Sequence, residues 1–516
     1  MAESVTPALL PSPRSSPGLS PDAGQAIAAA GGDAGGDAGD GGRERERQGL
    51  ALRLGVLTRE ISPELVDAVV EQAGRRERRR RLLPAASVVY FVLGLCLFSS
   101  ADSLVPPGYR SVMRWLSNGL RNLHGNPPAS SSALTKARQR LGAQPLELLF
   151  GCLRGPLGRP DTPGVFAFGL RLVCWDGTGL DLADTPANEQ GFGRLQGGSP
   201  QIRLLTLIEC GTHAVIDAVF AGISHASEHA LARQVLGSLR AGMLLMGDRN
   251  FPGHELWGLA ADTGADLLWR MKKNTIFVPV TVLPDGSFTS IMPTPAEGIR
   301  QSRALAQGKT LARPPAGHLV RIIEYDVTIR AGDGSSRTEP FRLVTTILDH
   351  TLAPAAALAA LYHQRWEIEN SYQELKTRLR GAEFILRSKS PELVRQELYA
   401  FLAVYQALCS LRAEAAATAG LDPDRVSFTV TVRVARTEVT NQAAATPTTL
   451  RRNRSQTITD LLADRLPPRR PRQYERIRKP PKSNYTIKKH DHTRITSHVT
   501  YQITVTRTPD LPAPMP

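Results

Sequence analysis

The sequence predicts an α/β fold: a mixed sheet with flanking helices, interrupted by a β-rich insertion and preceded by a small helical domain. Three observations lead there. Strand-like and helix-like segments alternate from Leu170 to Met271, the pattern of a sheet covered on both faces. A polar, β-prone stretch at about 272–340 breaks that alternation, and residues 50–155 carry helical spacing alone.

Size and charge set the bounds. The chain has 516 residues, with 63 Lys and Arg against 48 Asp and Glu, a formal net charge of +15. Hydrophobic residues at 41% and charged residues at 22% are ordinary for a globular chain, which allows two or three cored domains and excludes a wholly disordered protein. The positive excess points to a polyanionic partner, either nucleic acid or an anionic membrane. The five cysteines, Cys96, Cys152, Cys174, Cys210 and Cys409, form no CxxC pair and read as reduced core thiols of a cytosolic protein.

Residues 1–49 are rich in Pro, Ser, Ala and Gly-Asp repeats and lack the apolar groups that offset ordering entropy, so they are predicted to be a disordered tail. Ser62-Pro63-Glu64 is a helix start, with Ser as the cap and Pro in the first turn. The segment Leu82 to Ser100 is almost uncharged behind the basic run Arg75 to Arg81, which imitates a membrane span. Pro84, Ser87, Gly94 and Ser99 dilute it and Asp102 follows closely, so it reads as a buried helix over Leu82 to Phe98. The N-terminus has no basic stretch leading into an apolar core and does not read as a secretory signal. Further helices are predicted at Arg110 to Leu116 and Ser132 to Leu141. The last carries Lys136 and Arg138 on a basic side that suits either a DNA backbone or solvent.

Strands follow at Leu170 to Trp175, Ile202 to Glu209, Val215 to Phe220, Met243 to Met246 and Leu267 to Met271, with helices at Glu228 to Leu239 and Gly253 to Ala261. After the insertion come a strand at Phe341 to Leu348 and one long helix over Pro354 to Leu379, unbroken by Gly or Pro past its start. Residues 426–516 form a C-terminal extension. Its Pro-rich part beyond Leu450, with Arg451, Arg452, Arg454 and many later cations, reads as a basic arm, either a solubilising tail or one that stays extended until it meets DNA.

Three acids stand out by position. Asp176 and Asp248 each close a strand, where ligands collect in open α/β sheets, although Asp176-Gly177 is also an ordinary turn signal. The third, Glu369, lies on the long helix. At about 100° per residue, Tyr362, Arg365, Glu369 and Lys376 fall at about 0°, 300°, 340° and 320°, beside an apolar arc of Leu361, Ile368, Tyr372, Leu375 and Leu379. Glu367 and Glu374 fall on the far side, at about 140° and 120°, where solvent is expected. A simple Arg365–Glu369 pair at i,i+4 explains the same residues structurally. His225 and His229, four apart, are accounted for by Ser227 capping a helix at Glu228 rather than by a metal.

The spacing Tyr-x2-Arg-x3-Glu-x6-Lys in YHQRWEIENSYQELK resembles the signature of DDE transposases of the insertion-element-4 type. CWDGTGLDLADTPAN around Asp176, MGDRNFPG around Asp248, and ISPELVDAVV with SALTKARQRLG near the N-terminus resemble the same family, in the same order, over about residues 50–420. The resemblance implies a ribonuclease-H-like catalytic domain at 156–425, in which Asp176, Asp248 and Glu369 bind two Mg2+ ions, with Mn2+ able to substitute. It implies that Tyr362, Arg365 and Lys376 contact DNA around the scissile phosphate, and that a homodimer cleaves terminal inverted repeats and joins the freed 3′-hydroxyls to target DNA. The compartment implied is the bacterial cytoplasm, on the nucleoid, with no membrane. Trp269, flanked by Arg270, Lys272 and Lys273, suits either a flipped base or a buried strand. The chemistry agrees: phosphodiester transfer needs two clamped oxygens, and hard cations favour carboxylates. A non-catalytic DNA-binding relative and a plain metal-dependent nuclease are the alternatives. Imperfect inverted repeats bounding the gene, with short direct repeats outside them, are the expected finding in flanking DNA if the resemblance holds.

Overall fold

The computed structural model describes residues 52–77, 79, 83–99, 107–117, 129–196, 198–272, 275–309, 316–330, 336–381, 385–441, 447–468, 476–477, 496–497 and 500–506. The predicted disordered tail at 1–49 and most of the basic arm at 469–495 lie outside the described residues.

The N-terminal part is helical, as its spacing predicts. Helix α1 (Pro63–Gln72) starts where Ser62 Oγ accepts the Leu65 N–H at 3.2 Å. It is followed by α2 (Ala85–Leu97), α3 (Tyr109–Leu116), α4 (Ser131–Leu141) and α5 (Gln144–Leu153). Every residue of α2 except Ala86 is buried. The membrane-like composition is therefore that of a helix surrounded by other helices, and no helix among the described residues is long and apolar enough to cross a membrane.

The sheet begins with β1 (Phe166–Ala167) and β2 (Leu170–Asp181). After α6 (Pro186–Phe192) come β3 (Gln201–Glu209) and β4 (Val215–Gly222), then α7 (Glu228–Val235), β5 (Met243–Gly247), α8 (His254–Ala261) and β6 (Asp266–Arg270). The spatial order β4-β3-β2-β5-β6, antiparallel through β2 and parallel from β2 to β6, is ribonuclease-H-like. The insertion supplies β7 (Thr281–Val282), β8 (Phe288–Pro293), α9 (Pro295–Ala306), β9 (Gly317–Arg330) and β10 (Ser336–Thr345). Because β10 pairs with β6 and β9 with β10, these strands extend the same sheet. Helix α9 does not figure in the sequence reading, although Thr294 Oγ1 accepts the Glu297 N–H at 3.3 Å in a capping arrangement visible as Thr-Pro-x-Glu.

The region after the insertion differs from expectation. The single helix foreseen over Pro354 to Leu379 is divided into α10 (Ala355–Tyr362), a 3-10 turn (His363–Trp366), α11 (Glu367–Gln373) and a π turn (Glu374–Leu379). Beyond it, α12 (Pro391–Thr418) runs between the N-terminal helices and the sheet, followed by α13 (Phe428–Asn441) and α14 (Pro447–Ala463). The start of the supposed basic arm is thus helical, and Arg454 is buried against Glu60 and Glu414. A last strand, β11 (Thr500–Val505), pairs with the second half of β9. Two cores result, one on each face of the sheet: α10 to α12 and the N-terminal helices share one, and α7 and α8 cover the other. Four of the five cysteines are buried in the first core region, whereas Cys152 is exposed.

Arg138 corrects the DNA-facing reading of α4. Its side chain is internal, at 1% exposure, because it donates to Gln396 Oε1 at 2.8 Å and Ser388 Oγ at 2.9 Å and ties α4 to α12. Lys136 on the same helix is exposed. Arg138→Met is expected to cost about 1–3 kcal/mol by leaving Gln396 Oε1 unsatisfied, and Lys136→Ala to stay within about 0.5 kcal/mol, both read by urea unfolding. Equal stabilities would refute an internal Arg138.

Candidate active site

Asp176 does not end its strand, and Asp176-Gly177 is not a turn. β2 continues to Asp181 beside β3, but its pairing with β5 stops at Cys174–Met246. Asp176 therefore stands two residues past the end of its parallel neighbour, at the open crevice where ligands bind such sheets. Asp248 follows β5 directly. Its Oδ1 accepts the Asn250 N–H at 2.7 Å and its Oδ2 the Asn250 amide at 3.3 Å, which fixes the carboxylate as the chain turns.

The helical segment from α10 to the π turn fastens itself to both strands. Tyr362 donates its hydroxyl to the Gly247 carbonyl at 3.1 Å, one residue before Asp248. Tyr372 donates to the Asp176 carbonyl and accepts from Thr206 Oγ1 at 3.0 Å. Lys376 Nζ reaches Thr178 Oγ1 and the Gly179 carbonyl, each at 3.0 Å. Arg365 pairs with Glu369 at 3.3 Å, and its charge also acts on Asp176. Arg365 is thereby tied to Asp176 and Glu369, Asp248 lines one cavity with Arg365, and the charge of Asp248 acts on Asp176. Burial pushes the Asp176 carboxyl up to about 6, against the Gly177 N–H, and the charge of Asp248 adds to the rise. Glu369 keeps 40% of its side chain exposed. A carboxylate group with so little internal compensation fits a hard divalent cation.

The stripe predicted for DNA contact is engaged with the protein. Tyr362 is buried, Arg365 is largely covered, and Lys376 is held against β2. Trp269 is fully buried between Trp175 and Trp257, with ring centroids at 5.5 and 5.1 Å, so it cannot receive a flipped base. The exposed cations lie elsewhere. A cavity of about 400 Å³ beside Asp248 adjoins a groove of about 770 Å³. Exposed Arg249 and half-buried Arg270, which lies over Phe341, line both; exposed Lys272 lines the groove, as does Arg342, which is paired with Glu324. Sequence reasoning missed Arg249 and Arg270 as site residues, although Arg249 lies two residues past β5 and Arg270 is the last residue of β6.

The far side of α11 is not solvent. Glu367 and Glu374 are buried, because α12 and the β3–β4 turn cover them. His213 lies between them, Nε2 at 3.0 Å from Glu367 Oε2 and Nδ1 at 2.9 Å from Glu374 Oε2. Arg412 donates to Glu374 Oε1 at 2.6 Å and to the Thr212 carbonyl at 2.8 Å. Burial opposes charging His213, but Glu374 and Glu367 outweigh it and push its pKa up to about 9. Burial likewise opposes the Glu374 charge, and Arg412 with His213 outweighs it, holding Glu374 at about 2. His213, Glu367 and Asp424 present donor atoms within 4.8 Å of one another, yet both ring nitrogens already face carboxylates, so the group reads as an imidazolium ion-pair cluster. His225 and His229 form no such group: Ser227 caps α7, and His229 Nε2 donates to the Asn250 carbonyl at 2.7 Å.

Known families match much of the chain. Residues 51–151 match the family described as insertion element 4 transposase N-terminal, and residues 167–406 match the transposase DDE domain. The transposase InsG for insertion sequence element IS4 of Escherichia coli (strain K12) is 27% identical over 356 residues, 67% of this chain and 73% of that protein. The cryo-EM structure of the piggyBac transposase synaptic complex with hairpin DNA superposes with a TM-score of 0.38 at 9% identity, over 81% of this chain and 85% of that one, too slight a likeness to argue from. The chain belongs to the DDE transposases of the insertion-element-4 type. It is a DNA transposase, an enzyme that binds DNA and depends on a divalent metal.

The raised pKa of His213 gives a pH signature. Its folded value of about 9 exceeds the ordinary 6.5, so the stability it contributes is complete below 6.5 and lost as pH rises through about 9. His213→Asn, a residue that tolerates the positive φ of 61° at this position, is expected to be roughly 3–5 kcal/mol less stable near neutrality. The Tm gap to the wild type should narrow between about pH 6 and about pH 10; a constant gap would exclude a charged His213.

Proposed function

We propose that Asp176, Asp248 and Glu369 are the catalytic acids, holding two Mg2+ ions with Mn2+ able to replace them. The enzyme would cleave at the terminal inverted repeats of its own insertion element and transfer the 3′-hydroxyl ends to target DNA. The observation that carries this reading is that at the β2–β5 crevice Arg365 pairs with Glu369 and acts on Asp176, while Asp248 acts on Asp176 and lines one cavity with Arg365. When bound, the cations supply the charge that activates the attacking oxygen and stabilises the leaving one. The chain's own residues orient the acids: Tyr362 and Tyr372 brace the two strand ends, Asn250 turns the Asp248 carboxylate, and Arg365 holds Glu369 in register.

DNA follows from the cations of the groove in this reading. Arg249, Arg270 and Lys272 line a path running from Asp248 under the insertion, and phosphates are the groups such a path takes. Lys136 on α4 adds a contact from the helical region, which would bind the element's ends. The active form on DNA is a homodimer in the bacterial cytoplasm, on the nucleoid.

With end-containing DNA and Mg2+, Asp248→Asn is expected to lower nicking at least about a hundredfold while leaving end binding intact. Undiminished nicking refutes the assignment, and nicking without joining in the wild type would mark a plain nuclease. In anisotropy titrations from about 50 to about 200 mM salt, Lys272→Ala should weaken binding and lower the salt slope by about 1. An unchanged slope would remove the groove from the DNA path.

A further inference from the structure

Glu228 opens α7, on the face of the sheet opposite α11. Ser227 already caps that helix, its Oγ accepting the Ala230 N–H at 3.2 Å, so the Glu228 side chain is not required there. It reaches instead over the backbone of Gly177. A β carbon placed on Gly177 would lie 2.5 Å from Glu228 Oε1 and 2.8 Å from its Cδ. The same glycine donates its N–H to Asp176 Oδ1 at 2.8 Å. Two carboxylates therefore rest on one residue that has no side chain to separate them, and the charge of Glu228 acts on Asp176 alongside that of Asp248.

The approach is held from the other strand as well. His229, the next residue, donates to the Asn250 carbonyl and stacks on Phe251, while Asn250 donates to Asp248. Among the described residues, no hydrogen bond or ion pair joins the Glu228 carboxylate to a cation of the protein. An acid in a first helical turn is favoured by the helix dipole. That accounts for a Glu at this position but not for its turning toward the like charge of Asp176 over Gly177, where the strand lacks a β carbon.

We propose that Glu228 is a fourth carboxylate of the metal centre, a ligand to a divalent cation on the side of Asp176 that Gly177 leaves open. The assignment rests on the reading of Asp176, Asp248 and Glu369 as cation ligands. It makes Gly177 the residue that admits Glu228, a role a side chain would abolish.

The test is Mn2+ binding to the full-length protein without DNA, followed by the electron paramagnetic resonance of free Mn2+. Glu228→Gln keeps the shape of the side chain and is expected to weaken Mn2+ binding about tenfold or more, with metal-free melting unchanged. Gly177→Ala removes no carboxylate but displaces that of Glu228, and should weaken binding in the same direction. The double variant should bind no more weakly than Glu228→Gln alone, since both changes remove one interaction. Wild-type affinity in both single variants, or losses that simply add, overturns the proposal. Asp248→Asn separates the two readings: if it loses Mn2+ while Glu228→Gln does not, only the fourth ligand falls, whereas wild-type binding by Asp248→Asn overturns both.

Discussion

The pairing of Arg412 and His213 with two buried carboxylates, Glu374 and Glu367, sets the register of the helix whose front presents Glu369. A buried ion pair is a weak source of net stability, because desolvation consumes most of the Coulomb gain, but a broken one is costly. The cluster therefore acts as a locating device. Sliding or rotating α11 would strand a charge inside the protein, so the helix has one favourable position against β2 and α12. The front contacts impose their own demands, with Tyr362 on Gly247, Tyr372 on Asp176 and Lys376 on Thr178. A tight 3-10 turn before α11 and a wide π turn after it let one segment satisfy both sides. Departures from regular helix of this kind recur at functional sites.

Much of this was legible in local signals. Ser62-Pro63 marked a helix start, the strands of the core announced themselves by apolar runs, and the period of the helix put Ile368, Tyr372, Leu375 and Leu379 on the sheet as found. What failed depended on partners distant in the chain. The period correctly separated Glu367 and Glu374 from Glu369, but not that α12 would cover the far side. The cue was Arg412, a lone cation in the apolar stretch AFLAVYQALCSLR. Trp269 sat among cations in sequence and among tryptophans in space. Gly177 carried a turn signal in the sequence, and only the pairing of β2 with β3 through Asp181 makes it a mid-strand residue.

The positive excess also takes a different meaning. Arg138, Arg321, Arg412 and Arg454 are all internal, where they donate to carbonyls, amides and carboxylates of the fold. A guanidinium suits that work because it presents several donors in a rigid fork. The number of Lys and Arg thus overstates the cations open to a polyanion, although buried carboxylates such as Glu209, Glu367, Glu374 and Asp424 leave the surface with its positive excess.

The order of parts along the chain has a consequence for the timing of synthesis. Asp176, Asp248 and Glu369 all leave the ribosome before Arg412, which anchors Glu374 from α12. A growing chain therefore holds all three of these acids while the segment bearing Glu369 still lacks its Arg412 anchor. On the proposed reading of these acids, competence would arrive only when α12 has emerged and docked, so a prematurely terminated polypeptide would be a poor enzyme.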